Sequence, residues 1–131
     1  MTKESIFLLL AAVGLTPIAL SYGLVPQASL PYLFNIEVSN INSTHMFRAI
    51  MGLYLALVVF WIVGARWNSL TLPALWSLTV FMLGLAAGRA VSFVFDGMPH
   101  YLLTMYFILE LGFGFVGFYL AIRFQEKQGC D

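Results

Sequence analysis

Four long apolar stretches, separated by polar or turn-forming segments, dominate the pattern of this sequence. They run approximately over residues 6–25, 45–65, 71–95 and 101–124. At the helical rise of about 1.5 Å per residue, each is long enough to cross a hydrocarbon layer about 30 Å thick. The pattern therefore predicts an all-α fold, in which residues 1–131 form a single membrane-spanning four-helix bundle.

The composition supports this class and excludes others. The chain has 131 residues, of which 61% are hydrophobic and only 9% are charged. Soluble domains carry about a quarter charged residues, so the composition is typical of an integral membrane protein without a soluble catalytic domain. The formal net charge is zero and no basic run is present, which argues against nucleic-acid binding.

Basic residues near the ends of the stretches predict the orientation. They fall on the side shared by the two termini and the second connection, so both termini should be cytoplasmic: Lys3, Arg66, Arg123 and Lys127. Tyr22, Tyr32 and Tyr101 are expected at the opposite interface. The first stretch is also compatible with a signal peptide, but Pro17 within it and the absence of a clear cleavage site favour a span.

The first connection, residues 26–44, is the only long one, and it is expected to fold as a short interfacial segment. Its last three residues, 42–44, match a glycosylation sequon. The same polar residues stand where the second helix needs an N-cap. Capping is the favoured interpretation of this triplet.

Apart from His45 and Arg123 at the ends of their stretches, three charged residues lie inside the apolar stretches: Arg48, Arg89 and Glu110. Charges within a membrane are costly and usually face a bundle interior with a partner. Arg89 lies about 10 Å inside the end of the third helix and Glu110 about 15 Å inside the start of the fourth, so the two are expected to pair. Arg48, about a turn inside the second helix, is expected to extend to the interface or to meet Asp96 or Glu37.

Helical spacing groups these residues with small ones on three helix faces, which are expected to turn inward. The faces are His45, Arg48, Gly52, Ala56 and Val59; Gly84, Gly88, Arg89, Ser92 and Asp96; and Glu110, Gly114, Gly117 and Ala121. Small residues allow close approach of helices, so the faces predict a packing seam that leads into a polar cluster. Whether that cluster is a structural ion pair or a ligand site stays open at this point.

Several spaced motifs carry a family resemblance. They are Gly23-Leu24-Val25-Pro26, Phe47-Arg48-Ala49-Ile50-Met51-Gly52-Leu53-Tyr54, Gly88-Arg89-Ala90-Val91-Ser92 with Asp96-Gly97-Met98-Pro99, and Glu110-Leu111-Gly112. The chain resembles a bacterial family of small four-span membrane proteins known only as a domain of unknown function. The resemblance implies a location in the bacterial inner membrane. It also implies that one polar constellation contains Arg48, Arg89, Ser92, Asp96 and Glu110.

No catalytic motif is evident. The sequence has neither a nucleophile elbow nor a phosphate-binding loop, and Cys130 lies near the carboxyl terminus. His45 and His100 lack a second ligand at metal or haem spacing, so no metal site is predicted. The chain is accordingly expected to be non-enzymatic.

Two functional hypotheses remain. The first is an accessory or scaffold subunit of a larger membrane-protein complex, with oligomer formation possible. The second is a protein that binds a membrane lipid or a quinone through Arg48, Arg89 and Glu110, with His45, Ser92 and Asp96 nearby. Neither hypothesis requires another cofactor.

Overall fold

The computed structural model describes residues 2–129, and this part of the chain forms five α-helices and no strand. They are α1 (Lys3–Gly23), α2 (Pro26–Phe34), α3 (Ile41–Arg66), α4 (Asn68–Phe95) and α5 (Tyr101–Gly129). All except α2 are long and apolar enough to cross a membrane. The predicted all-α architecture with four apolar helices is confirmed, whereas Cys130 lies outside the described residues.

The helices pack in a simple order in which α1 lies along α3, α3 along α4, and α4 along α5. Only Trp67 separates α3 from α4. The tight reversal requires Gly64, where a Cβ atom would collide with Ala74, and the Thr71 hydroxyl donates a hydrogen bond to the Gly64 carbonyl at 2.7 Å. Trp61 is fully buried between α3 and α4 near this reversal. Its indole N–H donates a hydrogen bond to Ser77 Oγ at 3.1 Å.

The first connection contains a helix of its own. Pro26 occupies the first turn of α2, where its missing N–H costs nothing, and Leu30 and Phe34 follow at four-residue intervals. These three residues are buried, so α2 covers one end of the bundle. Asn35 ends the helix in the left-handed conformation with φ of 58°.

The N-cap of α3 lies earlier than the sequence suggested. Asn40 caps the helix, because its Oδ1 accepts a hydrogen bond from the Ser43 N–H at 2.8 Å. Residues 42–44 lie inside the first turn, and α3 begins at Ile41 rather than near His45. The capping role expected of the sequon triplet is therefore wrong, since Asn40 already satisfies a free donor of that turn.

The inward face of small residues was predicted correctly on α5. Glu110, Gly114, Gly117 and Ala121 are all buried. A Cβ atom at Gly114 would lie 2.5 Å from Leu83 Cδ2, and one at Gly117 would lie 2.9 Å from Thr79 Oγ1. Close approach of α4 and α5 therefore depends on these glycines.

The same prediction fails on α3 and α4. The α3 face that carries His45, Arg48, Gly52, Ala56 and Val59 is exposed along its whole length. Instead α3 turns its bulky residues inward, because Tyr54, Val58 and Trp61 supply the volume that the core needs. Gly84 and Gly88 of α4 are also exposed, and a Cβ atom at Gly52, Gly84 or Gly88 would have no neighbour within 4 Å.

We expect Gly114→Leu to destabilise the bundle, whereas Gly112→Leu should not. The leucine at position 114 must displace Leu83, and overpacking of this kind costs about 1 to 3 kcal/mol. At position 112 a Cβ atom meets nothing within 4 Å, so the matched substitution keeps only the better helix propensity of leucine. The measurement is the thermal unfolding midpoint of both variants in detergent. Equal midpoints would refute the assigned α4–α5 seam.

Candidate ligand site

The charged residues of α4 and α5 form an ion pair, as the sequence predicted. Arg89 Nε donates to Glu110 Oε1 at 2.9 Å and to Oε2 at 3.0 Å. The Glu110 side chain is 8% exposed and the Arg89 side chain 21%. The buried carboxylate is thus held by a charge-assisted hydrogen bond from the neighbouring helix.

The turn between α4 and α5 sets the level at which the two charges meet. Gly97 has φ of 90°, a conformation that residues with a Cβ atom rarely adopt. His100 then starts α5, because the Leu102 N–H donates to its Nδ1 at 3.3 Å. This hydrogen bond gives His100 a structural role at the start of α5. Within residues 2–129, no three His, Cys, Asp or Glu side chains group as metal ligands.

Aromatic side chains cover the pair, a role that the sequence pattern did not predict. Tyr22 was expected at the interface but is buried, and its side chain lies beside the Arg89 guanidinium. Its ring centroid is 5.6 Å from that of Phe34 and 5.6 Å from that of Tyr54. Its position directly before the Gly23–Pro26 motif was the one sequence feature that could have linked Tyr22 to the site. Tyr32 and Tyr101 are exposed.

A groove opens beside the pair, between α4 and the start of α5, with a volume of about 540 Å³. Its lining combines three glycines, three polar residues and apolar side chains: Gly84, Leu85, Gly88, Arg89, Ser92, Phe93, Asp96, Gly97, Met98, Pro99 and Leu103. Since Gly84 and Gly88 carry no side chain, this wall of α4 stays open. The glycines predicted to pack against another helix of the bundle instead shape a surface groove.

Arg89 has unused hydrogen-bonding capacity in this groove. Its hydrogen bonds to Glu110 come from Nε alone. The terminal nitrogens carry four further N–H donors. The Tyr22 hydroxyl lies beside the guanidinium as a protein acceptor and can take only part of this capacity. The guanidinium can therefore be neutralised by Glu110 and still donate to a ligand oxygen.

Glu110 reaches a second, smaller space. A cleft of about 80 Å³ lies between α1 and α5, with Glu110, Tyr54 and Tyr106 among its lining residues. Leu85 borders both this cleft and the groove. The ion pair and Leu85 thus form the partition between the two spaces.

The remaining predicted residues lie elsewhere. Arg48 and His45 line a separate pocket with Gln27 of α2, so the six residues do not converge on one site. Among residues 2–129, Arg48 forms no ion pair with Asp96 or Glu37. Its side of α3 is exposed and does not face the bundle interior. The groove collects Arg89, Ser92 and Asp96, with Glu110 behind Arg89.

A comparison with protein families identifies the chain. The model of a domain of unknown function, DUF4345, matches residues 4–121, which include every residue of the groove and of the ion pair. The chain belongs to the DUF4345 family. The expected resemblance is confirmed, and this DUF4345 domain has the four apolar helices of a small multi-pass membrane protein. No curated protein and no solved structure matches it significantly.

We expect Arg89→Met to destabilise the protein because it leaves the Glu110 carboxylate buried without a counter-ion. Removal of one partner of a buried pair costs about 3 to 5 kcal/mol, and the partial exposure of Arg89 favours the lower end. Combining Arg89→Met with Glu110→Leu should restore most of the loss, because no charge stays buried. The measurement is the unfolding midpoint in detergent. A double variant as unstable as the single one would contradict a direct pairing.

Proposed function

We propose that this protein binds a quinone-type molecule in the groove between α4 and α5. The observation that carries the proposal is the Arg89 guanidinium, whose Nε is held by Glu110 and whose four terminal N–H donors exceed what the neighbouring Tyr22 hydroxyl can accept. Carbonyl oxygens of a quinone ring are acceptors for such donors. The Ser92 hydroxyl lies on the same wall and adds one more donor.

The charges around the groove favour a neutral head over an anionic one. Arg89 contributes one positive charge, and Glu110 and Asp96 contribute two negative charges. An anion entering here would be repelled by Asp96 and would compete with Glu110 for the same guanidinium. A neutral carbonyl requires only a hydrogen bond, so the ion pair stays intact when the ligand binds.

Depth and shape favour a ring over a phospholipid head. Arg89 lies seven residues before Asp96, about 10 Å along the helix, which places it inside the apolar span. A phosphate at this depth would lose its hydration, whereas a quinone ring is largely apolar. Phe93 and Leu103 provide apolar walls for the ring, and Gly84 and Gly88 leave a path for its tail.

We infer a bacterial inner-membrane location with cytoplasmic termini. In this orientation the groove opens toward the outer leaflet.

The experiment is a titration of the purified protein in detergent with decyl-ubiquinone, followed by quenching of tryptophan fluorescence. Gly88→Leu fills the groove without touching the bundle, because a Cβ atom there has no neighbour within 4 Å. We expect its affinity to fall at least about tenfold, the effect of losing ~1.4 kcal/mol of interaction. Gly112→Leu is the matched control and should bind like the parent.

A second variant tests the polar contact. The double change Arg89→Met with Glu110→Leu removes both charges together, and it should fold yet lose quinone binding. Unchanged affinity in both Gly88→Leu and the double variant would refute the proposal. Equal loss in Gly88→Leu and Gly112→Leu would also refute it, because the effect would then not depend on the groove.

A second candidate function is that of an accessory or scaffold subunit. The observation that favours it is the exposed α3 face around Gly52 and Ala56, since small residues on a lipid-facing helix allow another helix to approach closely. Oligomer formation or docking on a larger membrane complex would use this face.

We expect Gly52→Leu to reduce recovery of any co-purifying membrane protein after gentle solubilisation. The added side chain would hold the partner helix away, while the bundle itself has space for it. Quantitative mass spectrometry of the purified material provides the measurement, with Gly112→Leu as the control. The same partner recovery from both variants would argue against an interface on this face.

A further inference from the structure

Arg48 lacks a protein counter-ion, although it lies within a membrane span. It lies only three residues inside the apolar stretch that begins near residue 45, about 5 Å along the helix, and it is exposed. Among residues 2–129, the structure gives it no salt bridge. A guanidinium near hydrocarbon is costly unless it extends to the interface and meets an anion there.

The surroundings of Arg48 form a pocket rather than a flat surface. The pocket has a volume of about 500 Å³ and is bounded by α2, by residues 38–40 and by the first turns of α3. Gln27 Nε2 donates to Thr44 Oγ1 at 3.0 Å, which fixes α2 against α3 at this point. Ser39, Asn40 and His45 supply further polar groups on the same wall.

The charge of this pocket differs from that of the quinone groove. Arg48 is the one Arg or Lys that lines it, and no carboxylate within residues 2–129 lines it. Glu37 is close in sequence but is exposed and does not line the pocket. A net positive pocket near the end of a membrane helix is complementary to an anionic group at the membrane surface.

We propose that the Arg48 pocket is a second, separate site, which binds the phosphodiester of an anionic phospholipid. The planar guanidinium matches two non-bridging phosphate oxygens, and the neighbouring hydroxyl and amide groups complete the hydrogen bonding. A lipid fits better than free phosphate, because Arg48 lies at the border of the apolar span, where the acyl chains of a lipid continue along the exposed face of α3. The site does not depend on the quinone proposal.

The experiment is native mass spectrometry of the detergent-solubilised protein, titrated separately with phosphatidylglycerol, phosphatidylcholine and inorganic phosphate. We expect the first phosphatidylglycerol to bind roughly fivefold more tightly than the first phosphatidylcholine, the effect of one basic residue near an anionic lipid. Choline is disfavoured because its positive charge would lie near Arg48. Arg48→Gln should abolish the preference, and Arg48→Lys should retain part of it.

Arg66→Gln is the matched control, since it removes one exposed positive charge from the other end of α3. It should leave the preference unchanged, and Arg48→Gln should leave decyl-ubiquinone binding unchanged. Loss of the preference in Arg66→Gln, alone or equally with Arg48→Gln, would overturn the proposal. So would a parent protein without the preference, or displacement of the lipid by an equal concentration of inorganic phosphate.

Discussion

The hydrogen-bonded contact between Arg89 and Glu110 constrains the rest of this structure. Either charge alone would be unfavourable in the apolar interior, so α4 and α5 must lie side by side at the level where the two meet. The glycines at 114 and 117 permit that approach, and the positive φ of Gly97 makes the reversal between the two helices. The ion pair, the α4–α5 seam and the Gly97 turn therefore depend on one another.

The same contact explains how a buried ion pair can leave room for a ligand. Glu110 receives both of its hydrogen bonds from Nε, so the outer edge of the guanidinium is not consumed by the pair. Tyr22 and the aromatic residues around it shield one side, and the open wall of α4 exposes the other. Neutralisation by Glu110 favours a neutral acceptor here, whereas the unpaired Arg48 favours an anion. The two arginines thus lie in different electrostatic surroundings, since Arg89 is neutralised by a carboxylate and Arg48 has no counter-ion among residues 2–129.

The sequence was sufficient for the four apolar helices, the ion pair and the buried face of α5. It was misleading for α3, because in a membrane both the core and the lipid contact apolar residues, and spacing groups residues on a face without giving its direction. The bulky residues Tyr54 and Trp61 decide that direction by filling the core. A short folded segment was expected in the first connection, but its helical form was not, because nine residues are too few to establish periodicity. Pro26, Leu30 and Phe34 mark the buried face of this helix.

The most direct measurement of the central claim is a solid-state NMR experiment on the protein in lipid bilayers, with nitrogen-labelled arginine and carbon-labelled glutamate. We expect a strong dipolar coupling between Arg89 Nε and the Glu110 carboxylate carbon, since each oxygen lies within about 3 Å of that nitrogen. Addition of decyl-ubiquinone should then shift the terminal nitrogens of Arg89 while the Nε coupling persists. Absence of the coupling would refute the buried Arg89–Glu110 pair, and its loss when the quinone binds would refute a pair that stays intact around the ligand.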